Sequence, residues 1–233
     1  MKISMALLFA TIALNASAGQ PLDYRFDSVK RTVTVTSSGK EQRAAKGAHA
    51  RSGDQVETGW FSSALIASDD QRARFEIFSA TQVTLASDTP GVILTLERGR
   101  IRAAFDKITG SEPRIVKTPG ALLAVRGTQF DVHVDAEGRT TVDVFEGLVE
   151  VQSPLRPEPL FVRPGEEARF GRHEPPTSRP MPEQRRRDNE NREQPRNHEN
   201  PRDRDGGHRG NDGGGNPPRP QQPPPQKPPT TDA

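Results

Sequence analysis

From residue 56 to about residue 170 the chain alternates apolar and polar side chains in short runs, the signature of strands that bury one face. The clearest run is Phe130, Val132 and Val134 alternating with Asp131, His133 and Asp135. A polar segment, Ala136-Glu137-Gly138-Arg139, follows, and then Thr140, Val142 and Val144 alternate with Thr141, Asp143 and Phe145. This pattern predicts an antiparallel hairpin with Phe130 and Val132 facing a core and His133 facing outward. Glycines in Arg126-Gly127-Thr128 and Glu146-Gly147-Leu148 stand where each strand must bend or turn. Further strands are predicted over residues 31–36, 64–67, 72–78, 82–85, 92–96, 101–105 and 114–117. Turns are predicted at 37–40, 68–70, 88–91 and 110–113. Residues 40–50 read as a loop or a short helical turn. Many short strands without a long helix give the expected class: all-β, a sandwich or a solenoid-like stack. The glycine steps at Arg98-Gly99-Arg100 and Glu146-Gly147-Leu148 share a pattern that hints at a structural repeat.

The hallmark hairpin resembles the FecR domain, whose family pattern joins an R/K-G-T-x-F-x-V strand to a T-x-V-x-V-x-x-G-x-V-x-V strand. The segment Gly53-Asp54-Gln55-Val56-Glu57-Thr58-Gly59 is similar to that family's opening, and Val162-Arg163-Pro164-Gly165-Glu166-Glu167-Ala168 to its closing segment. The resemblance spans roughly residues 50–170. It departs at Phe78-Ser79-Ala80, where the family often has an aspartate-glycine turn. For the best-known members the resemblance implies a periplasmic sensory domain. That domain contacts an outer-membrane receptor and relays iron-siderophore status through a membrane helix to a sigma factor. Here the N-terminal stretch is the one long apolar run, so the β domain is expected to carry over and the transmembrane relay is not.

Composition changes at both ends. Lys2 precedes an apolar stretch over residues 5–14, and Ala16-Ser17-Ala18 is a small-x-small cleavage site before Gly19. The stretch is too short for a membrane span, so residues 1–18 read as a cleavable export signal and the localisation as periplasmic or secreted. Residues 19–49 are expected to add an N-terminal strand and linker to the β domain of residues 50–174. In residues 175–233 the apolar side chains are Met181 and Ala233, amid proline, glycine and arginine. Such a segment is expected to be a disordered tail, a spacer or tether. The 33 basic and 31 acidic residues nearly balance, so charge does not point to nucleic acid.

The chain has no cysteine, hence no disulfide, thiol nucleophile or thiolate-bound metal. Of His49, His133, His173, His198 and His208, only His133 lies in a compact polar set, with Asp131 and Asp135 on one strand face. Such a set could hold a divalent cation, but the reading adopted is the wetted side of a half-buried strand. Trp60, Phe61 and Tyr24 could form a carbohydrate-stacking surface; the reading adopted makes Trp60 and Phe61 one core residue and one rim residue. No catalytic residue, cofactor site or metal site is assigned, and the binding residues are left open. The expected protein is a non-enzymatic interaction module of the cell envelope, with an envelope protein or cell-wall component as partner. The competing readings are an envelope structural or glycan-binding protein and, third, a β-sandwich enzyme. Oligomeric state is left open. Intact-mass measurement of protein recovered from the envelope fraction should give a chain beginning at Gly19; a soluble cytoplasmic pool retaining residues 1–18 would refute export.

Overall fold

The computed structural model describes residues 22–86, 89–107 and 114–193. Chain contacts divide the molecule into residues 1–193 and 194–233, and all described residues belong to the first unit. The export signal, the turn at 110–113 and the tail beyond residue 193 lie outside the described residues.

Among the described residues the strands are Asp23–Lys30 (β1), Val33–Ser37 (β2), Lys40–Arg43 (β3), His49–Arg51 (β4), Gln55–Thr58 (β5) and Ser63–Ser68 (β6). They continue with Ala73–Ile77 (β7), Gln82–Leu85 (β8), Val92–Phe105 (β9), Arg114–Lys117 (β10), Leu122–Val125 (β11) and Gln129–Val134 (β12). Thr140–Glu146 (β13), Val149–Ser153 (β14), Arg156–Val162 (β15), Glu166–Phe170 (β16) and Thr177–Pro180 (β17) complete them, followed by the helix Glu183–Glu193 (α1). The class is all-β, as the alternation predicted.

Pairing arranges the strands in two sheets. Sheet A runs β4–β1–β6–β7–β9–β12–β13–β16–β17. Sheet B runs β3–β2–β5–β8–β9–β10–β11–β14–β15. Among the described residues only the β9–β10 pairing is parallel. Long strand β9 belongs to both, with Val92 to Arg98 in sheet B and Gly99 to Phe105 in sheet A. The inward side chains of both sheets form one apolar core. Tyr24, Phe26, Phe75, Phe105, Phe130 and Phe170 come from sheet A, and Val56, Leu85, Leu94, Leu123 and Val151 from sheet B. Phe105 stacks on Phe130 at 6.1 Å and meets Phe75 edge-on at 5.6 Å. The register of the hallmark hairpin is the predicted one: Phe130, Val132 and Val134 are buried and His133 is exposed.

The chain changes sheet repeatedly, and each described crossing contains a residue with positive φ. These are Arg31, Gly47, Gly53, Phe61, Ala80, Gly99, Gly127, Gly147 and Gly165. The glycine steps noted in the sequence are therefore sheet-crossing corners, which is the physical content of the weak repeat. Two corners are also sterically closed. A Cβ on Gly99 would lie 2.4 Å from Thr81 Oγ1, and one on Gly147 would lie 2.4 Å from the Gly127 carbonyl oxygen. At Phe78-Ser79-Ala80, where the family pattern has a glycine turn, Ala80 takes up φ +52° and the crossing survives.

Three expectations need correction. Residues 40–50 are not one loop or helical turn: they hold β3 and β4 with a turn at 44–48 between them, because β2 and β1 supply ladder partners to a polar sequence. The runs 92–96 and 101–105 are one strand bent at Gly99. The ordered chain also extends past residue 174: β17 pairs with β16, and α1 follows it.

The corners give a stability test. Gly147→Ala adds a clash with backbone to the left-handed strain and should cost about 2–4 kcal/mol. Gly138→Ala, at φ +78° but with only ordinary contacts near its Cβ, should cost about 1 kcal/mol. Chemical-denaturation midpoints decide; equal losses would show that the close approach at Gly147 is not what demands glycine.

Candidate functional site

The outward face of sheet A carries a row of charges set by strand register. Glu76 of β7 lies opposite Arg102 of β9, Arg102 opposite Asp131 of β12, Asp131 opposite Asp143 of β13, Asp143 opposite Glu167 of β16, and Glu167 opposite Arg179 of β17. Three neighbouring acids would repel one another if left alone. They are also buried: Asp131 is 3% exposed, Asp143 5% and Glu167 0%. Burial of unpaired charge is costly, so the fold surrounds the row with arginines.

Each acid has its own clamp. Asp131 accepts from Arg102 Nε at 2.6 Å and from Arg100. Glu167 accepts from Arg169 Nε at 2.6 Å and Arg179 Nε at 2.8 Å. Asp143 has no arginine directly beside it in the sheet, and its partner comes from above. Arg185 of α1 donates to Asp143 Oδ2 at 2.5 Å and stands 3.1 Å from Glu167 Oε2. Desolvation nonetheless raises the Asp143 pKa above the ordinary aspartate range; Arg185 works against that shift, and Glu167 and Asp131 add to it.

Helix α1 thus covers a polar face with a polar sequence, EQRRRDNENRE, which has no apolar side chain. Buried Met181 anchors its approach, and the Met181 N–H donates to the Gly165 carbonyl at 2.8 Å. Arg192 reaches Glu76 at 3.8 Å and lies over the Phe78 ring, with Arg100 on the same ring at 4.8 Å. Between helix and sheet remains a cleft of about 620 Å³, edged by Arg100, Arg102, His133, Phe145, Arg185 and Arg192. Burial and then the Arg100 charge lower the His133 pKa, with Arg185 adding to the effect and Asp135 opposing it.

The residues singled out in the sequence separate. Asp131 is sealed under arginines, His133 edges the cleft, and Asp135 closes the β12–β13 turn through the Arg139 N–H at 2.8 Å and the Arg139 side chain. The three therefore do not converge on one point, and among the described residues no cluster of three such side chains could hold a metal ion. His49 pairs with Asp23 at 2.7 Å. Tyr24 is fully buried, with its hydroxyl donating to the Ile93 carbonyl, and burial raises its pKa. It cannot share a surface with Trp60 and Phe61. Those two overturn the core-and-rim expectation, since Trp60 is 79% and Phe61 76% exposed. Sequence reasoning missed the acid row altogether. Its one visible sign was that Asp131 and Asp143 both occupy outward positions of the hallmark hairpin.

Residues 54–150 match the family model described as FecR protein. This stretch is similar to a FecR domain. The match begins at the corner before β5 and ends within β14, so both sheets contribute to it. Crystal structures of a provisionally named anti-sigma factor from Parabacteroides distasonis ATCC 8503, at 2.50 and 1.65 Å resolution, are similar at 18% identity and a TM-score of 0.46. The similarity covers 55% of this chain and 59% of theirs. No curated protein matches the chain. Among the described residues no helix is long and apolar enough to cross a membrane. The charge row extends beyond the matched residues, because Glu167, Arg179 and Arg185 lie after residue 150.

The Asp143–Arg185 contact has a pH signature. A carboxyl whose pKa is raised by folding binds its proton more tightly in the native state, so its contribution to stability falls as pH rises through the window above the unfolded value. Asp143→Asn should therefore gain melting temperature relative to the native protein between acid and neutral pH; a relative loss would contradict this assignment. Arg185→Ala, which leaves Asp143 without its cation, should cost about 1–3 kcal/mol at neutral pH.

Proposed function

We propose that this protein is a non-catalytic interaction module of the cell envelope, exported by its N-terminal segment and acting in signalling through a protein partner. The observation that carries the reading is the union of a FecR-like domain with the charge-patterned cleft on sheet A. The carboxylates that acid–base chemistry would need are held by arginines inside the fold: Asp131 by Arg100 and Arg102, Asp143 by Arg185, Glu167 by Arg169 and Arg179. A carboxylate so clamped has its oxygens occupied within the fold and serves as a structural element. What the cleft offers outward is a set of forked donors, a hydrogen-bonding imidazole and the Phe145 ring. Those groups suit recognition of a polar peptide surface.

Binding to envelope extract at low and high salt tests this. Retention should reside in residues 19–193, weaken with salt, and fall on Arg192→Glu or His133→Glu. Lys40→Glu, at the exposed β2–β3 turn away from the cleft, should leave it unchanged. Full retention by both cleft variants, or by residues 194–233 alone, would remove the cleft from the function.

A further inference from the structure

Trp60 and Phe61 are the central residues of a β-turn between β5 and β6, closed by the Ser62 N–H donating to the Gly59 carbonyl at 3.3 Å. Both rings are more than three-quarters exposed. Phe61 also holds φ +56°, a conformation that disfavours a bulky side chain and that glycine supplies at most other crossings. The chain thus places two large aromatics in water, one of them on unfavourable backbone.

The surroundings give the partner's chemistry. Gly59 N–H donates to the Thr32 carbonyl at 3.0 Å, and Ala80 N–H to the Gly59 carbonyl at 3.2 Å, so the turns at 30–32, 59–62 and 78–81 form one end of the sandwich. Together these three turns contain Lys30 and Arg31 and no acidic residue. Arg31 lies over the Phe61 ring at 5.7 Å, and Arg43 donates to the Arg31 carbonyl at 3.1 Å. Lys30, Arg31 and Arg43 are exposed and form no ion pair among the described residues. Several polar groups of the tip are engaged within it. Ser79 Oγ donates to the Ser62 carbonyl, and Ser62 Oγ accepts from Thr32 N–H.

We infer that the Trp60–Phe61 turn is a membrane-surface anchor that enters the headgroup region of an anionic phospholipid bilayer. Tryptophan is favoured at that depth, and arginine and lysine beside it attract lipid phosphate. A short turn presenting two rings supplies little of the roughly 800 Å² per partner of an ordinary protein interface. The inference is independent of the cleft on sheet A.

Trp60 is the only tryptophan, so intrinsic fluorescence reports this site alone. The purified protein, mixed with vesicles of equimolar phosphatidylcholine and phosphatidylglycerol, should shift its emission to shorter wavelength and co-sediment. Vesicles of phosphatidylcholine alone should do neither, and high salt should reverse the effect. Phe61→Ala and the Lys30→Glu/Arg31→Glu pair should each weaken sedimentation about tenfold while leaving the melting temperature unchanged, because these side chains are exposed. An unshifted spectrum on anionic vesicles, or equal binding to neutral ones, overturns the proposal. So does a shift produced only by peptidoglycan fragments or by envelope protein, which would reassign the tip to that partner.

Discussion

The structure depends on getting one chain across two sheets many times without leaving buried backbone unpaired. At each described crossing a single residue enters the left-handed region, reverses the strand's path and lets the ladder resume in the opposite sheet. Where two corners stack, as Gly147 does on the Gly127 carbonyl, even a methyl group cannot be accommodated. The sandwich closes because these corners nest, and the single apolar core follows from that closure.

The same register that packs the core determines the charged face. Pairing Phe130 with Val144 and Val132 with Val142 on one side places Asp131 opposite Asp143 on the other. Extending the pairing to β16 adds Glu167. Core packing therefore forces three acids into adjacency, and arginines from β9, β16, β17 and α1 make the arrangement tolerable. This accounts for the behaviour of α1, whose sequence carries nothing to bury hydrophobically. It is held by Met181 and by ion pairs to acids that the sheet has already desolvated, where the low local dielectric strengthens the contact.

Two surfaces of different chemistry result. One is the cleft under α1, charge-patterned and partly covered by the chain's own C-terminal segment. The other is the cationic turn cluster bearing Trp60 and Phe61. Under the two proposals above, a single β domain would specify both a protein partner and a position at a lipid surface.

The alternation of Phe130, Val132 and Val134 with polar neighbours was enough to determine strand, face and family resemblance, because period two is a local property of the backbone. The glycines at 99, 127 and 147 were legible as bends for the same reason. Other features depended on partners distant in sequence. Polar β3 is a strand only because β2 lies beside it, and Asp143 is a buried acid only because β12, β16 and Arg185 surround it. Residues 183–193 read as a segment with nothing to bury, a judgement that assumed burial must be apolar. The exposure of Trp60 and Phe61 was equally out of reach, since composition favours aromatic burial and only the crossing at Phe61 turns both rings outward. The sequence by itself determined which residues alternate and where the chain can bend; the tertiary structure alone decided which charges meet, because that depends on the register between strands far apart in the chain.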